Sequence, residues 1–152
     1  MDIGRLLFSA DGRIGQKDFW IGFLILFAGG ILIHLIPLAG TVAWFLSTYC
    51  WVCLYSKRLH DFGKSGWHQM WVFVFGYICV AIGIAVAGGG AIAALISGHW
   101  NWAMFAGAAA LMVGLFALSA IAHFLFLLYV GLTPTQRVAN KYGPPTDLTA
   151  PA

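Results

Sequence analysis

The sequence predicts an all-α membrane protein with four transmembrane helices and with N-terminus and C-terminus both cytoplasmic. Three observations carry this. First, the 152 residues are 61% apolar and only 9% charged, with a mean hydropathy of +0.88. A soluble domain carries roughly a quarter charged residues, so this chain cannot cover a water-facing surface. Second, the apolar residues fall into four long stretches separated by short polar ones. Third, all eight Lys and Arg lie in the three polar regions that a four-crossing topology puts on one side.

Each element follows in order. Residues 1–18 hold Asp2, Arg5, Asp11, Arg13, Lys17 and Asp18 and form a cytoplasmic N-terminal segment. They are too polar for a signal-peptide n-region, and no small-x-small site follows a short apolar core. The first apolar segment is therefore expected to persist in the mature protein. From Phe19 to about Pro37 no charge appears, about one bilayer crossing at 1.5 Å per residue. Pro37 and Gly40 supply a break. Residues 41–55 return as a second helix, and the polar loop 56–68 follows. Residues 69–97 form the third segment, "GHWNW" at 98–102 a compact break, and residues 103–132 the fourth. The four helices thus make one transmembrane domain, 19–132. Residues 133–152 are a polar cytoplasmic tail.

The last two segments would reach roughly 43 Å as straight helices, more than a bilayer needs. Gly88–Gly90 is where a bend or a re-entrant break is expected, since three glycines weaken a helix. Arg5, Arg13, Lys17, Lys57, Arg58, Lys64, Arg137 and Lys141 then all face the cytoplasm, and none lies in the outer turns. Eight basic residues split among three segments make no stripe for nucleic acid. Small residues recur every four positions at Gly83, Ala87 and Ala91, and again at Ala106, Ala110 and Gly114. Such stripes allow close helix approach in lipid, so the two are expected to meet each other or a second copy of the chain.

The polar residues supply the functional candidates. The loop "SKRLHDFGKSGWH" (56–68) concentrates Lys57, Arg58, Asp61 and Lys64 with His60 and His68. Lys57 and Arg58 suit the C-terminal end of the second helix. "FGKSG" reads as a tight turn, and Trp67 and Trp71 as interfacial anchors. Three readings of the loop compete. His60 and Asp61 are an acid–base pair, although adjacent residues do not generally face the same way and no nucleophile is evident. Or the loop amides, with Arg58, Lys64 and Ser65, hold a phosphate such as a lipid headgroup. Or the cluster is structural and ties loop, N-terminal segment and tail together, which is compatible with the second.

Within the apolar segments there is no Asp, Glu, Lys or Arg, and the histidines are His34 and His123. Ser119 shares a face with His123 at i, i+4, and a neutral, hydrogen-bonded histidine is the expected state. "CWVC" places Cys50 and Cys53 on one helix face. With no second cysteine pair they read as small apolar residues, and no metal or cofactor is expected.

"GRIGQKDFW" (12–20), "KRLHDFGKSGW" (57–67) and "NKYGP" (140–144), in this order around apolar segments, resemble the domain-of-unknown-function 805 family of small bacterial inner-membrane proteins. Gly12, Arg13, Phe19 and Trp20 match the first family motif, with Gln16 where the family usually has Arg. Arg58, Leu59, His60, Asp61, Gly63, Ser65, Gly66 and Trp67 match the second, with Lys57 for Arg and His68 for Trp. Asn140, Tyr142, Gly143 and Pro144 match the third, with "QRVA" where glycines are expected. The resemblance implies a bacterial inner-membrane location and no known activity. It also implies that three cytoplasmic segments form one unit, a polar cap of Arg13, Arg58, His60, Asp61, Asn140 and Tyr142. The expected function is non-enzymatic: a cap that binds an anionic lipid headgroup or a partner protein. The alternatives are a small transport or permeation protein acting as an oligomer, and an inner-leaflet enzyme using His60 and Asp61.

Overall fold

The computed structural model describes residues 2–34, 39–99 and 101–146. Its elements are α1 (Ile3–Phe8), α2 (Gln16–His34), α3 (Ala39–Asp61), a 3-10 turn (Gly66–Gln69), α4 (Met70–Ser97) and α5 (Trp102–Leu132). Among the described residues the fold is all-helical, and the one bridge pairs Asn140 with Gly143. The predicted break at Pro37 and the side chain of His34 lie outside the described residues.

Among the described residues three helical stretches are long and apolar enough to cross a bilayer, not four: Gln16–Ile33, Gly66–Ser97 and Trp102–Leu132. The predicted second span is the exception. Ser47, Thr48, Tyr49, Tyr55 and Ser56 dilute its apolar run, and its last turns carry Lys57, Arg58 and Asp61. Those residues also correct the predicted loop. The helix does not stop at 55 but continues to Asp61, because its charges find partners and need no exposure to water. Of the bend or re-entrant break expected at Gly88–Gly90, the break is absent, since α4 runs helical through it. Every i→i−4 bond kept there is one fewer unpaired polar group in hydrocarbon.

The chain forms two compact units. One comprises the residues up to Gln69 together with those from Leu128 on; the other is Met70–Leu127. In the first, α2 and α3 run antiparallel. A Cβ on Gly22 would lie 2.6 Å from Leu54, so glycine is what lets these helices close. Phe19, Leu54 and Leu59 are fully buried. Phe23 meets Trp51 edge-on, and Phe19 meets Tyr55, in an aromatic seam between the helices. The end of α5 joins this unit through Gly131, whose missing side chain makes room for the Trp20 ring.

The second unit is an antiparallel hairpin. Gly76 faces Ser119 and His123, Gly83 faces Met112, and Gly90 faces Met104. The buried residues of α4 are Gly76, Cys79, Gly83 and Ala94, one narrow face of small side chains. Trp71 and Trp102, 79% and 80% exposed, mark opposite ends of this hairpin. From the pairing register they stand about 30 Å apart along the helices, the thickness of a hydrocarbon core.

Candidate functional site

The site grows from three helix ends in the first unit. A helix terminus leaves its last carbonyls unpaired, and here side-chain cations supply the donors. Arg58, near the end of α3, donates from Nε to the Val130 carbonyl (3.2 Å) and from Nη2 to the Thr133 carbonyl, both at the end of α5. Gln16, at the start of α2, donates to the carbonyls of Gly131 (3.1 Å) and Leu132 (3.0 Å). Arg13 donates from Nη2 to the Asp61 carbonyl (2.9 Å), and Asn140 to the His60 carbonyl (2.9 Å), capping α3. Positive groups at helix C-termini also favour the macrodipole.

Asp61 joins the two arginines. Its Oδ1 accepts from Arg13 Nε (3.2 Å) and Thr146 Oγ1 (2.9 Å), and its Oδ2 accepts from Arg58 Nη1. All three charged side chains are essentially inaccessible, at 1% for Arg13 and 0% for Arg58 and Asp61. Arg13 spends every donor it has: Nη1 reaches the carbonyls of Val138 (3.0 Å) and Gly143 (3.1 Å), and Nη2 also reaches that of Gln136 (2.6 Å). Arg58 adds Thr135 Oγ1 (3.2 Å) and the Ile14 carbonyl (3.4 Å) and lies 5.8 Å from the Phe62 ring centroid. Burial lowers the Arg58 pKa, while the Asp61 charge opposes that shift.

The turns around this clasp are built by glycines and by Asn140. Gly63, at φ +79, lets its own N–H reach the His60 carbonyl and that of Lys64 reach the Leu59 carbonyl, a Schellman end to α3. A Cβ on Gly66 would lie 2.6 Å from Ser56 Oγ, so the 3-10 turn closes onto α3 only with glycine there. Asn140 Oδ1 accepts from the Tyr142 N–H (2.9 Å), shaping the tail turn. That turn stacks Tyr142 on His60, with ring centroids 3.7 Å apart and planes at 6°.

The chain fits a recognised group of proteins. A family model described as "Protein of unknown function (DUF805)" matches residues 7–144. The chain belongs to the DUF805 family. The relatives found are the Escherichia coli proteins named "Uncharacterized protein YiiR", from strain K12 and from O157:H7. Each is 35% identical over 156 residues, covering 97% of this chain and 92% of the relative. No solved structure matches. The DUF805 motifs acquire a physical meaning from the clasp. Gly12, Arg13, Arg58, His60, Asp61, Asn140, Tyr142 and Gly143 meet in it.

His60 and Asp61 do not form a pair. The His60 Nδ1 faces the Gly12 carbonyl at 3.2 Å and so carries the proton, and the Asp61 carboxylate is taken by the two arginines and Thr146. Burial lowers the His60 pKa, with the Gly12 hydrogen bond acting against it. Lys64 and Trp67 stand outside the clasp. Lys64 is exposed and Trp67 is 77% exposed, while Ser65 receives the Trp67 N–H at 3.4 Å.

In the second unit His123 Nδ1 meets the Ser119 carbonyl (2.8 Å), within its own helix. Gly83 lies against α5, and Ala87 and Ala91 continue its half-buried face. Ala106, Ala110 and Gly114 are exposed, with nothing near Gly114. The two small stripes therefore do not meet. The α4 face is filled by larger α5 side chains, Met112 and His123, which already provide contact.

Sequence reading missed several participants. Gln16, Thr133, Thr135, Gln136 and Thr146 act through hydrogen bonds that no spacing announces. Lys57, expected at the end of the second helix, lies there and is 3% exposed, a burial its charge does not announce. It donates to the carbonyls of Arg5 and Leu6 at the end of α1, and burial lowers its pKa.

Proposed function

We propose that this protein is a non-enzymatic, four-crossing protein of the bacterial inner membrane whose cytoplasmic loop engages anionic lipid headgroups. The clasp builds the cytoplasmic face, and the loop beside it does the binding. The observation that carries this reading is the division of labour among cations. Arg13 and Arg58 are inaccessible, with their donors taken by protein, whereas Lys64 and Trp67 are held in solvent by the Gly63 turn. A cation beside an exposed indole suits the boundary between headgroups and water.

Parity supports four crossings and cytoplasmic termini. The start of α2, the end of α3 and the end of α5 all meet at the clasp. Since α2 leaves it and α3 returns to it, the two cross together or not at all, and α2 is apolar enough to cross. The weakly apolar α3 then crosses as the partner of α2 in a hairpin. The positive-inside distribution puts the clasp, with the N-terminal segment and the tail, in the cytoplasm.

The test is native mass spectrometry of the protein from mild detergent, with Lys64→Ala, Trp67→Ala and wild type each exposed to phosphatidylglycerol. Retention by wild type and loss in both variants, at unchanged melting temperature, is expected. Equal retention by all three forms would refute loop binding.

A further inference from the structure

We infer that the cleft between α1 and the segment leading into α2 holds the headgroup of a membrane lipid bearing both a phosphate and a primary ammonium. This site is separate from the loop, since neither Lys64 nor Trp67 lines it.

The position of α1 is the first support. Tyr49 donates its hydroxyl proton to the Phe8 carbonyl (3.1 Å), Leu6 lies against the Gly22–Leu54 contact, and Lys57 caps the Arg5 and Leu6 carbonyls. Gly12 meets His60. Along α3, Tyr49 and His60 are about 16 Å apart. So α1 lies alongside the shaft of α3, beside the first turns of α2, rather than beyond the helix ends. Its terminal carbonyls are satisfied by Tyr49 and Lys57, as backbone near hydrocarbon requires. Ile3 and Phe8 remain 51% and 50% exposed, an apolar edge where acyl chains begin.

The lining of the cleft is the second support. Its volume is about 350 Å3, and its polar lining comprises Asp2, Arg5, Asp11, Arg13, Asp18 and Lys57. Three of these are committed elsewhere. Asp2 caps α1 through the Arg5 N–H, Arg13 is saturated by the clasp, and Lys57 uses two of its three protons. The third Lys57 proton has no acceptor among the described residues, although the side chain is almost wholly buried. Asp11, which is exposed, and Asp18, which is half-buried, accept no side-chain hydrogen bond from the described residues and leave their carboxylates open to a ligand at the cleft mouth.

A ligand that is only anionic would face Asp11 and Asp18, and one that is only cationic would face Arg5 and Lys57. A zwitterion meets both demands. Its ammonium donates to Asp11 and Asp18, and its phosphate oxygens accept from Lys57 and Arg5, all as charge-assisted bonds. A primary ammonium fits where a choline cannot, because choline has no N–H to donate. The volume is at the lower end for small-molecule sites and suits a headgroup rather than a large metabolite.

The experiment uses full-length Lys64→Ala/Trp67→Ala protein in detergent, in which the loop contributes no binding, and offers it equal amounts of phosphatidylethanolamine, phosphatidylcholine and phosphatidylglycerol with the same acyl chains, read by native mass spectrometry. This parent should retain phosphatidylethanolamine about fivefold or more over the other two, the scale of a single charge-assisted bond. Adding Asp11→Asn/Asp18→Asn, with the melting temperature checked in parallel, should abolish that preference, and so should adding Arg5→Gln. Equal retention of phosphatidylglycerol by the parent, or an unchanged preference after both additions, would overturn the site. Displacement by soluble phosphoethanolamine at equal concentration would overturn its assignment to a lipid.

Discussion

The first unit of this chain buries charged and polar side chains among its large apolar ones, and the second buries only small residues. Around the clasp, the inaccessible set includes Ser56, Lys57, Arg58, Asp61 and Gln69 beside Phe19, Leu54 and Leu59. In the α4–α5 hairpin it is Gly76, Cys79, Gly83 and Ala94. The contrast follows from the solvent. Lipid is as apolar as leucine, so moving an aliphatic side chain from lipid into protein gains little, and such a hairpin coheres through close approach of small residues. The clasp gathers helix ends whose carbonyls need donors, so it coheres through hydrogen bonds and charge. One unit should therefore fail when a charge is removed and the other when a methyl group is added.

Removing Asp61 is the sharpest way to break the comparison. Asp61→Ala leaves two buried guanidinium groups facing each other without the carboxylate between them. Breaking a buried pair in this manner costs about 3–5 kcal/mol. The expected result is loss of amide-exchange protection at residues 56–63 and 128–132, with protection retained across 76–120. Equal loss in both stretches would mean that the hairpin depends on the clasp and that the two do not cohere independently.

How much of this was legible in the sequence follows from the same contrast. The apolar segments were readable because composition alone identifies a span, as at Gln16–Ile33 and Trp102–Leu132. The convergence of Arg13, Arg58, Asp61 and Asn140 was reached through the resemblance of three motifs. Their burial was not foreseen, because charge in a short polar stretch looks the same whether it faces water or a carbonyl. The end of α3 was misplaced for that reason: Ser56–Asp61 has the composition of a loop and the hydrogen-bond partners of a helix. The α5 stripe does not meet the α4 stripe for a different reason. In a segment rich in Ala and Gly a four-residue spacing arises on any face, and the side of α5 that packs on α4 is the one carrying Met112 and His123.

Glycine substitutions address the hairpin. A Cβ at Gly76 would lie 2.8 Å from the His123 ring and 3.1 Å from Ser119 Oγ, whereas at Gly88 it would meet nothing within 4 Å. Gly76→Ala should destabilise by about 1–3 kcal/mol, the usual cost of overpacking. Gly88→Ala should be neutral or stabilise by up to about 1 kcal/mol, since alanine is the better helix former. Both are read by unfolding in mixed micelles. If Gly76→Ala proved as silent as Gly88→Ala, close approach would not be what holds α4 to α5.

The smallest expected effect is a pH dependence confined to the clasp. His60 is neutral in its stack with Tyr142, and its pKa is lowered chiefly by burial. In the unfolded chain it returns to about 6.5. Between the folded value and 6.5 the unfolded state therefore binds more protons, and stability rises with pH across that interval. Acidification should begin to weaken the clasp as pH falls through about 6.5, and the loss should be complete below the lowered folded value. Asp11 opposes this shift and Lys141 reinforces it, so Lys141→Gln should reduce the pH dependence. The measurement is amide exchange at Leu59 and Tyr142 from pH 7.5 to 5, corrected for intrinsic rates, in wild type and in His60→Phe, which keeps a ring against Tyr142 without a titrating nitrogen. A pH slope that survived in His60→Phe would move the sensitivity to another group and leave His60 a stacking residue only.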